Sequence, residues 1–269
     1  MKLWPLSAWL LALLLCGCAE RDPIVRLATT TSTHNSGLMD AILPAFEERS
    51  GYDVQLFAVG TGQALELGRR GDVDLLLVHA RERELEFVEA GHAVDRRDVM
   101  WNDFVIVGPK SDPAQIRGKA TAVDAFRQIA AAGAIFVSRG DDSGTHMREQ
   151  ALWKDAGLDP SGLSSYLSAG QGQGACLLIA DEKQGYILTD RGTWLAYAGR
   201  LEGDILVAGD PKLRNPYGAM LVNPANHEEI EVTGARALLD YLTSKDGQQR
   251  IAEFRKNGEA LFHPMTESD

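Results

Sequence analysis

"IVRLATTTSTHNSGLMDAILPAF", residues 24–46, changes its pattern twice. Ile24 to Ala28 has the length and β-branched content of a buried strand. A run of consecutive hydroxyl residues from Thr29 through Ser32 to Thr33 interrupts it, and a polar turn runs on to Gly37. From Leu38, apolar side chains recur at Ile42, Leu43 and Phe46, the spacing of one helix face, and Gly51 ends the segment. The reading is strand, turn, helix. It recurs at Val54 to Val59, Gly60-Thr61-Gly62 and a helix through Ala64, Leu65 and Leu67 to Gly71. A third unit runs from Ala134 to Val137, through "SRGDDSGT" at 138–145, into a helix carrying Ala151, Leu152 and Ala156. Additional strands are expected at Asp74 to Val78, Phe104 to Val107, Gly185 to Leu188 and Ala219 to Val222. The fold class is α/β, with buried and largely parallel strands.

Such units place their turns at the carboxyl ends of strands, where open sheets bind ligands, and two facing sheets would enclose a cleft. "NDFVIVGP" (102–109) and "NPYGAMLVNP" (215–224) read as strands that end at proline and carry the chain between two halves. The expected division is lobe 1 at 18–105 and 219–269 and lobe 2 at 106–218, with the C-terminal helices completing lobe 1.

Residues 1–17 stand apart. Lys2 precedes an apolar run from Leu6 to Leu15, too short for a permanent membrane helix and the length of a signal sequence core. Leu15-Cys16-Gly17-Cys18 resembles a bacterial lipobox, which implies cleavage before Cys18, lipidation there, and anchoring to the outer face of a membrane. An ordinary cleaved signal peptide is the alternative. With Cys16 removed and Cys18 acylated, Cys176 is the one thiol left, so no internal disulfide forms and the core must supply the stability. A net charge of -11 opposes nucleic acid as a partner. It says little about a small anion, because fields are screened over about 8 to 10 Å in salt and local donors decide.

Each turn offers backbone N–H groups without helical partners at the positive end of a helix dipole. Ser or Thr before one helix is accounted for by capping alone, which contributes about 1 kcal/mol. Three such turns on strand ends favour donors that converge. Arg139 adds a planar cation suited to an oxyanion, whether or not it also pairs with Asp141 or Asp142. A serine hydrolase is the contrasting class, since "GDDSG" at 140–144 resembles the nucleophile segment of chymotrypsin-like proteases. Those proteases are all-β, and the Gly-x-Ser-x-Gly elbow of α/β-hydrolases is missing. Nothing nominates a base among the six histidines, and His146 reads as structural. Zinc finds no pair of histidines or cysteines at ligand spacing.

"ATTTSTHNSGL", "VGTGQAL", "NDFVIVGP", "FVSRGDDSGTH" and "YILTDRGT", in this order along nearly the whole mature chain, resemble the tungstate-binding, TupA-type solute receptors of ABC transporters. The resemblance implies a type II periplasmic-binding-protein fold, two lobes joined by a two-strand hinge that close on one tetrahedral oxoanion and deliver it to a permease. It implies a monomer with no catalytic residue and no cofactor. Carried over, Thr30, Thr31 and Ser32 hold oxygens from lobe 1 with Thr61 beside them. Arg139 supplies charge from lobe 2, where Ser143, Gly144 and Thr145 donate from a helix start. Thr189 and Arg191 lie in a family motif and serve to shape the cleft.

Phosphate is the rival, because Arg-x-x-x-Ser-Gly-Thr is also similar to phosphate receptors, which need an acceptor for the phosphate proton. The comparable stretch, Asp74 to Ala80, ends in His79 without an acid. A donor-only site suits a fully deprotonated dianion: tungstate, molybdate or sulfate. Asp141 or Asp142 as proton acceptor keeps phosphate open.

Overall fold

Strand β1 (Ile24–Thr30) runs into helix α1 (Thr31–Ser36), and α2 (Leu38–Ser50) follows directly. Of the polar turn expected at 29–37, Thr29 and Thr30 extend the strand and 31–36 are helical, and Gly37, at φ 85°, takes the left-handed conformation that ends α1 and starts α2. Next come β2 (Asp53–Val59), α3 (Thr61–Arg70), β3 (Leu75–Val78) and α4 (Arg81–Glu89). Both β2 and β3 lie parallel to β1, with Leu27 opposite Leu56 and Leu75. Successive side chains of β1 face opposite ways, as strand geometry requires. Val25 and Leu27 pack with Leu38, Ile42 and Phe46 of α2, whereas Ala28 packs with Ala64 and Leu65 of α3. The computed structural model describes residues 22–141 and 143–265, so the expected signal segment, Cys18 and Asp142 lie outside it.

The long strand β4 (Ala93–Gly108) belongs to both halves. Lobe 2 continues with α5 (Ala122–Ala131), β5 (Phe136–Ser138), α6 (Gly144–Asp155), β6 (Tyr166–Ser168), α7 (Gln173–Glu182), β7 (Ile187–Asp190), α8 (Arg191–Tyr197) and β8 (Asp204–Val207). The chain returns on β9 (Arg214–Val222) to α9 (Val232–Thr243), α10 (Lys245–Glu253) and the short strands β10 (Arg255–Lys256), β11 (Glu259–Ala260) and β12 (His263–Pro264). Up to Asp103, β4 pairs with β9; from Phe104 it pairs with β7 and β8. Phe104 to Val107 are buried on both faces, which explains their unbroken apolar run.

Parallel pairing is less general than the sequence suggested. It holds for β1 with β2 and β3 and for β5 with β6, whereas β9 runs antiparallel to both β3 and β4. A chain that leaves lobe 1 on β4 and comes back on β9 must run those neighbours in opposite directions. Each lobe has its own core: Leu38, Leu221 and Leu238 pack in the first, and Phe126, Phe136 and Trp153 form an aromatic cluster in the second. Cys176 is buried there, its thiol donating to the Gln171 carbonyl. Among the described residues no helix is long and apolar enough to cross a membrane.

Candidate functional site

Between the lobes lies a cleft of about 780 Å³, lined by the starts of α1, α3, α6, α7 and α8. Thr30, the residue before α1, is buried and turned inward. Its hydroxyl accepts from the Thr33 amide at 3.3 Å and shares hydrogen bonds with Thr33 Oγ1 (2.6 Å) and Ser32 Oγ (3.1 Å). Thr31 and Ser32, one step further, are exposed. Gly60 precedes α3 and has no side chain to spend on capping, so the first amides of α3, at Thr61 and Gly62, are left open to the cleft.

From lobe 2 comes the third turn. Gly140 has φ 61°, and a methyl group there would stand 1.9 Å from Ser168 Oγ, so both conformation and space demand glycine. Arg139 extends from the end of β5 into the cleft lining while its guanidinium is held by the Asp141 carboxylate, with Nε at 3.2 Å. The salt bridge and a cleft-facing arginine therefore coexist. Burial pushes the Asp141 carboxyl up, but Arg139 and Ser143 outweigh it and hold the group below the usual carboxylate range. Ser143 caps α6, accepting from the His146 amide at 3.3 Å, so its hydroxyl works as a helix cap. The amides of Gly144 and Thr145 precede the first helical bond and stay open.

All eight residues singled out from the sequence, Thr30, Thr31, Ser32, Thr61, Arg139, Ser143, Gly144 and Thr145, line this one cleft. Thr189 and Arg191 do not. Thr189 is buried behind the cleft, and Arg191 donates to Asp103 at the point where β4 changes lobes, with Nε at 2.8 Å. His79 does face it. Its Nδ1 is shut off from solvent without a protein partner and lies 3.7 Å from where a Gly144 methyl would be, while its ring packs 4.7 Å from Tyr217. Burial pulls the imidazole below its ordinary pKa, against the opposing pull of Asp190, so it is neutral at pH 7.

Sequence reasoning missed several lining residues. Gly172, Gln173 and Gly174 form a fourth strand-turn-helix junction, whose signal was the glycine-rich "SAGQGQGA" (168–175); the preceding β6 has only three residues and leaves no periodicity to detect. Gly192 and Thr193 supply a fifth at α8. Arg83, Asn215 and Lys256 come from segments outside any strand-turn-helix pattern. Among the described residues no group of three His, Cys, Asp or Glu could hold a metal ion. What the arrangement offers is a wall of amides and hydroxyls from two lobes around a balanced arginine, the chemistry of anion capture.

Residues 19–246 match the PBP superfamily domain. The chain belongs to that superfamily and, within it, to the TupA type. It is 44% identical to the tungstate-binding protein TupA of Peptoclostridium acidaminophilum, covering 96% of each chain. A putative ABC transporter anion-binding protein of Haloferax volcanii is 48% identical across 90% of this chain and 72% of its own. In three dimensions the tungstate-binding protein TupA from Desulfovibrio alaskensis G20 superposes with a TM-score of 0.87 at 44% identity, over 91% of this chain and 100% of that one. Membership of this family makes the chain a binding protein and not an enzyme, with no cofactor called for.

Proposed function

We propose that the chain is the extracytoplasmic substrate-binding component of an ABC transporter, capturing tungstate, with molybdate as its close analogue, between its two lobes and handing it to a membrane permease. The observation that carries this reading is a cleft whose donors are open and whose carboxylates are already spent. Asp141 is held by Arg139, and Asp190 accepts from the Thr193 amide (2.8 Å) and hydroxyl (2.6 Å). Both described lining carboxylates are thus already engaged by protein donors, which favours a fully deprotonated dianion over phosphate. Thr31, Ser32 and Thr61 hold oxygens from lobe 1, and Arg139 with the amides of Gly144 and Thr145 holds them from lobe 2. Thr30 and Ser143 act mainly by capping the helices that present these donors.

A four-oxygen anion fills little of 780 Å³. Full coordination therefore requires the lobes, divided as 18–105 with 219–269 and 106–218, to close about β4 and β9. The protein acts as a monomer, tethered through a lipid on Cys18. Calorimetric titration with tungstate, molybdate, sulfate and phosphate tests the reading: tungstate and molybdate bind tightly and phosphate weakly, whereas a preference for phosphate refutes it. Replacing Arg139 by alanine removes a charge-assisted contact of about 1.5 to 3 kcal/mol, and tungstate affinity falls at least about tenfold. Unchanged affinity takes Arg139 out of the site.

A further inference from the structure

Arg83 is the third residue of α4 and is exposed, yet its side chain lies back across the start of α3. A methyl group added at Gly62 would sit 3.2 Å from its Nη2 and 3.6 Å from its Nη1, and both residues line the cleft. Its neighbour Arg81 is committed to Asp98 at 2.9 Å. Arg83 has no carboxylate or carbonyl partner among the described residues. The end it rests on is positive, because the first amides of α3 point outward there and the peptide dipoles add behind them. A cation against that end is repelled in the empty cleft, and the repulsion turns to attraction when an anion sits between the two.

The charges around the cleft point the same way. Arg139 is neutralised by Asp141. Lys256 is bound to the carbonyls at the end of α1, with Nζ 3.0 Å from the Ser36 oxygen. Asp190 remains negative. Of these described lining groups, Arg83 alone is an uncommitted cation, and without it the fixed charges balance to zero.

We propose that Arg83 is a further anion-binding residue, the lobe 1 counterpart of Arg139, and that it matches the cleft to a doubly charged ligand. The inference rests on the oxoanion reading of the cleft. An oxygen held by the α3 amides meets the Arg83 guanidinium within lobe 1, and lobe closure brings Arg139 onto the opposite side, so that the anion is gripped by an arginine from each lobe.

Tungstate and perrhenate separate charge from shape, since both are tetrahedral oxoanions of similar size carrying two charges and one. Titrations of the intact protein, of Arg83→Gln and of Arg83→Lys with both probes, at 0.15 M and 0.5 M salt, decide the matter. Tungstate affinity is expected to fall about tenfold in Arg83→Gln at both salt concentrations, perrhenate affinity to fall less than about threefold, and Arg83→Lys to recover part of the loss. Equal affinities of wild type and Arg83→Gln overturn the proposal, as does a loss that vanishes at 0.5 M salt, which would mean steering from a distance. An equal loss for both anions overturns the charge-matching role. If the unaltered protein binds neither anion, the reading of the cleft itself has failed, an outcome distinct from the failure of Arg83 alone.

Discussion

Glu149 on α6 lies directly behind the Arg139 turn, 2% exposed, and accepts a hydrogen bond from the Tyr166 hydroxyl at 2.8 Å. Tyr166 in turn accepts from Gln150 at 2.9 Å. The Ser138 hydroxyl and the Trp153 indole N–H are neighbours without a bonded partner of good geometry. Burial raises the Glu149 carboxyl to about 7, against the smaller stabilisation of its charge by Ser138 and Tyr166. The folded-state pKa exceeds the unfolded value of 4.5, so the native protein holds a proton that the unfolded chain has lost. The stability linked to this group is therefore fully present below about 4.5 and falls as pH rises towards and beyond 7.

Replacing Glu149 by Gln leaves a neutral acceptor for Tyr166 and removes the titration. Two and a half pKa units at 1.36 kcal/mol each bound the effect at about 3 kcal/mol, of which about 2 to 3 kcal/mol falls between pH 5 and pH 8. Urea unfolding of both proteins at pH 5, 6.5 and 8 reads it as a difference of differences, so that titrations elsewhere cancel. Glu149→Gln should gain on the wild type steadily with pH. Parallel stability profiles would show that Glu149 ionises normally, through water reaching it, and would refute the account of a dry floor under the anion-binding turn.

Gly140→Ala forces a side chain into a left-handed conformation and against Ser168. Thermal unfolding should show a loss of about 1 to 3 kcal/mol, and tungstate affinity should fall with it; a variant equal to wild type in both would mean that the turn tolerates a different path. Tyr217→Phe removes the hydroxyl that accepts from Asn102 Nδ2 at 3.0 Å, within a buried network in which Asn215 donates to Asn102 at 2.8 Å. The unpartnered amide should cost about 1 to 3 kcal/mol in chemical denaturation. The Arg139 and Arg83 substitutions given above complete the set.

The helix starts explain why so much of the site could be read in one dimension. Thr31, Thr61 and Gly144 each follow a strand and open a helix, and a parallel β-unit leaves such junctions at the same edge of its sheet. Residue type and position in the unit were therefore enough to nominate them. Arg83 had no such marker: it sits in "RERELEFVE", a charged helix face like many others, and reaches the cleft only because its guanidinium lies across the start of α3, where Gly62 leaves room. Gln173 was hidden by the brevity of β6.

Local chemistry, written residue by residue, determined the strand-turn-helix units, the α/β class, the donor-rich junctions and the family, because each depends on neighbours along the chain. Tertiary structure decided what depends on distant segments meeting. It sent β4 and β9 across the molecule in opposite directions, turned the Thr30 hydroxyl inward and left Thr31 and Ser32 exposed, paired Arg191 with Asp103 away from the cleft, and left Arg83 without a counter-charge. Hydrogen-bond partners and burial are properties of the folded contact set, and no periodicity in the sequence encodes them.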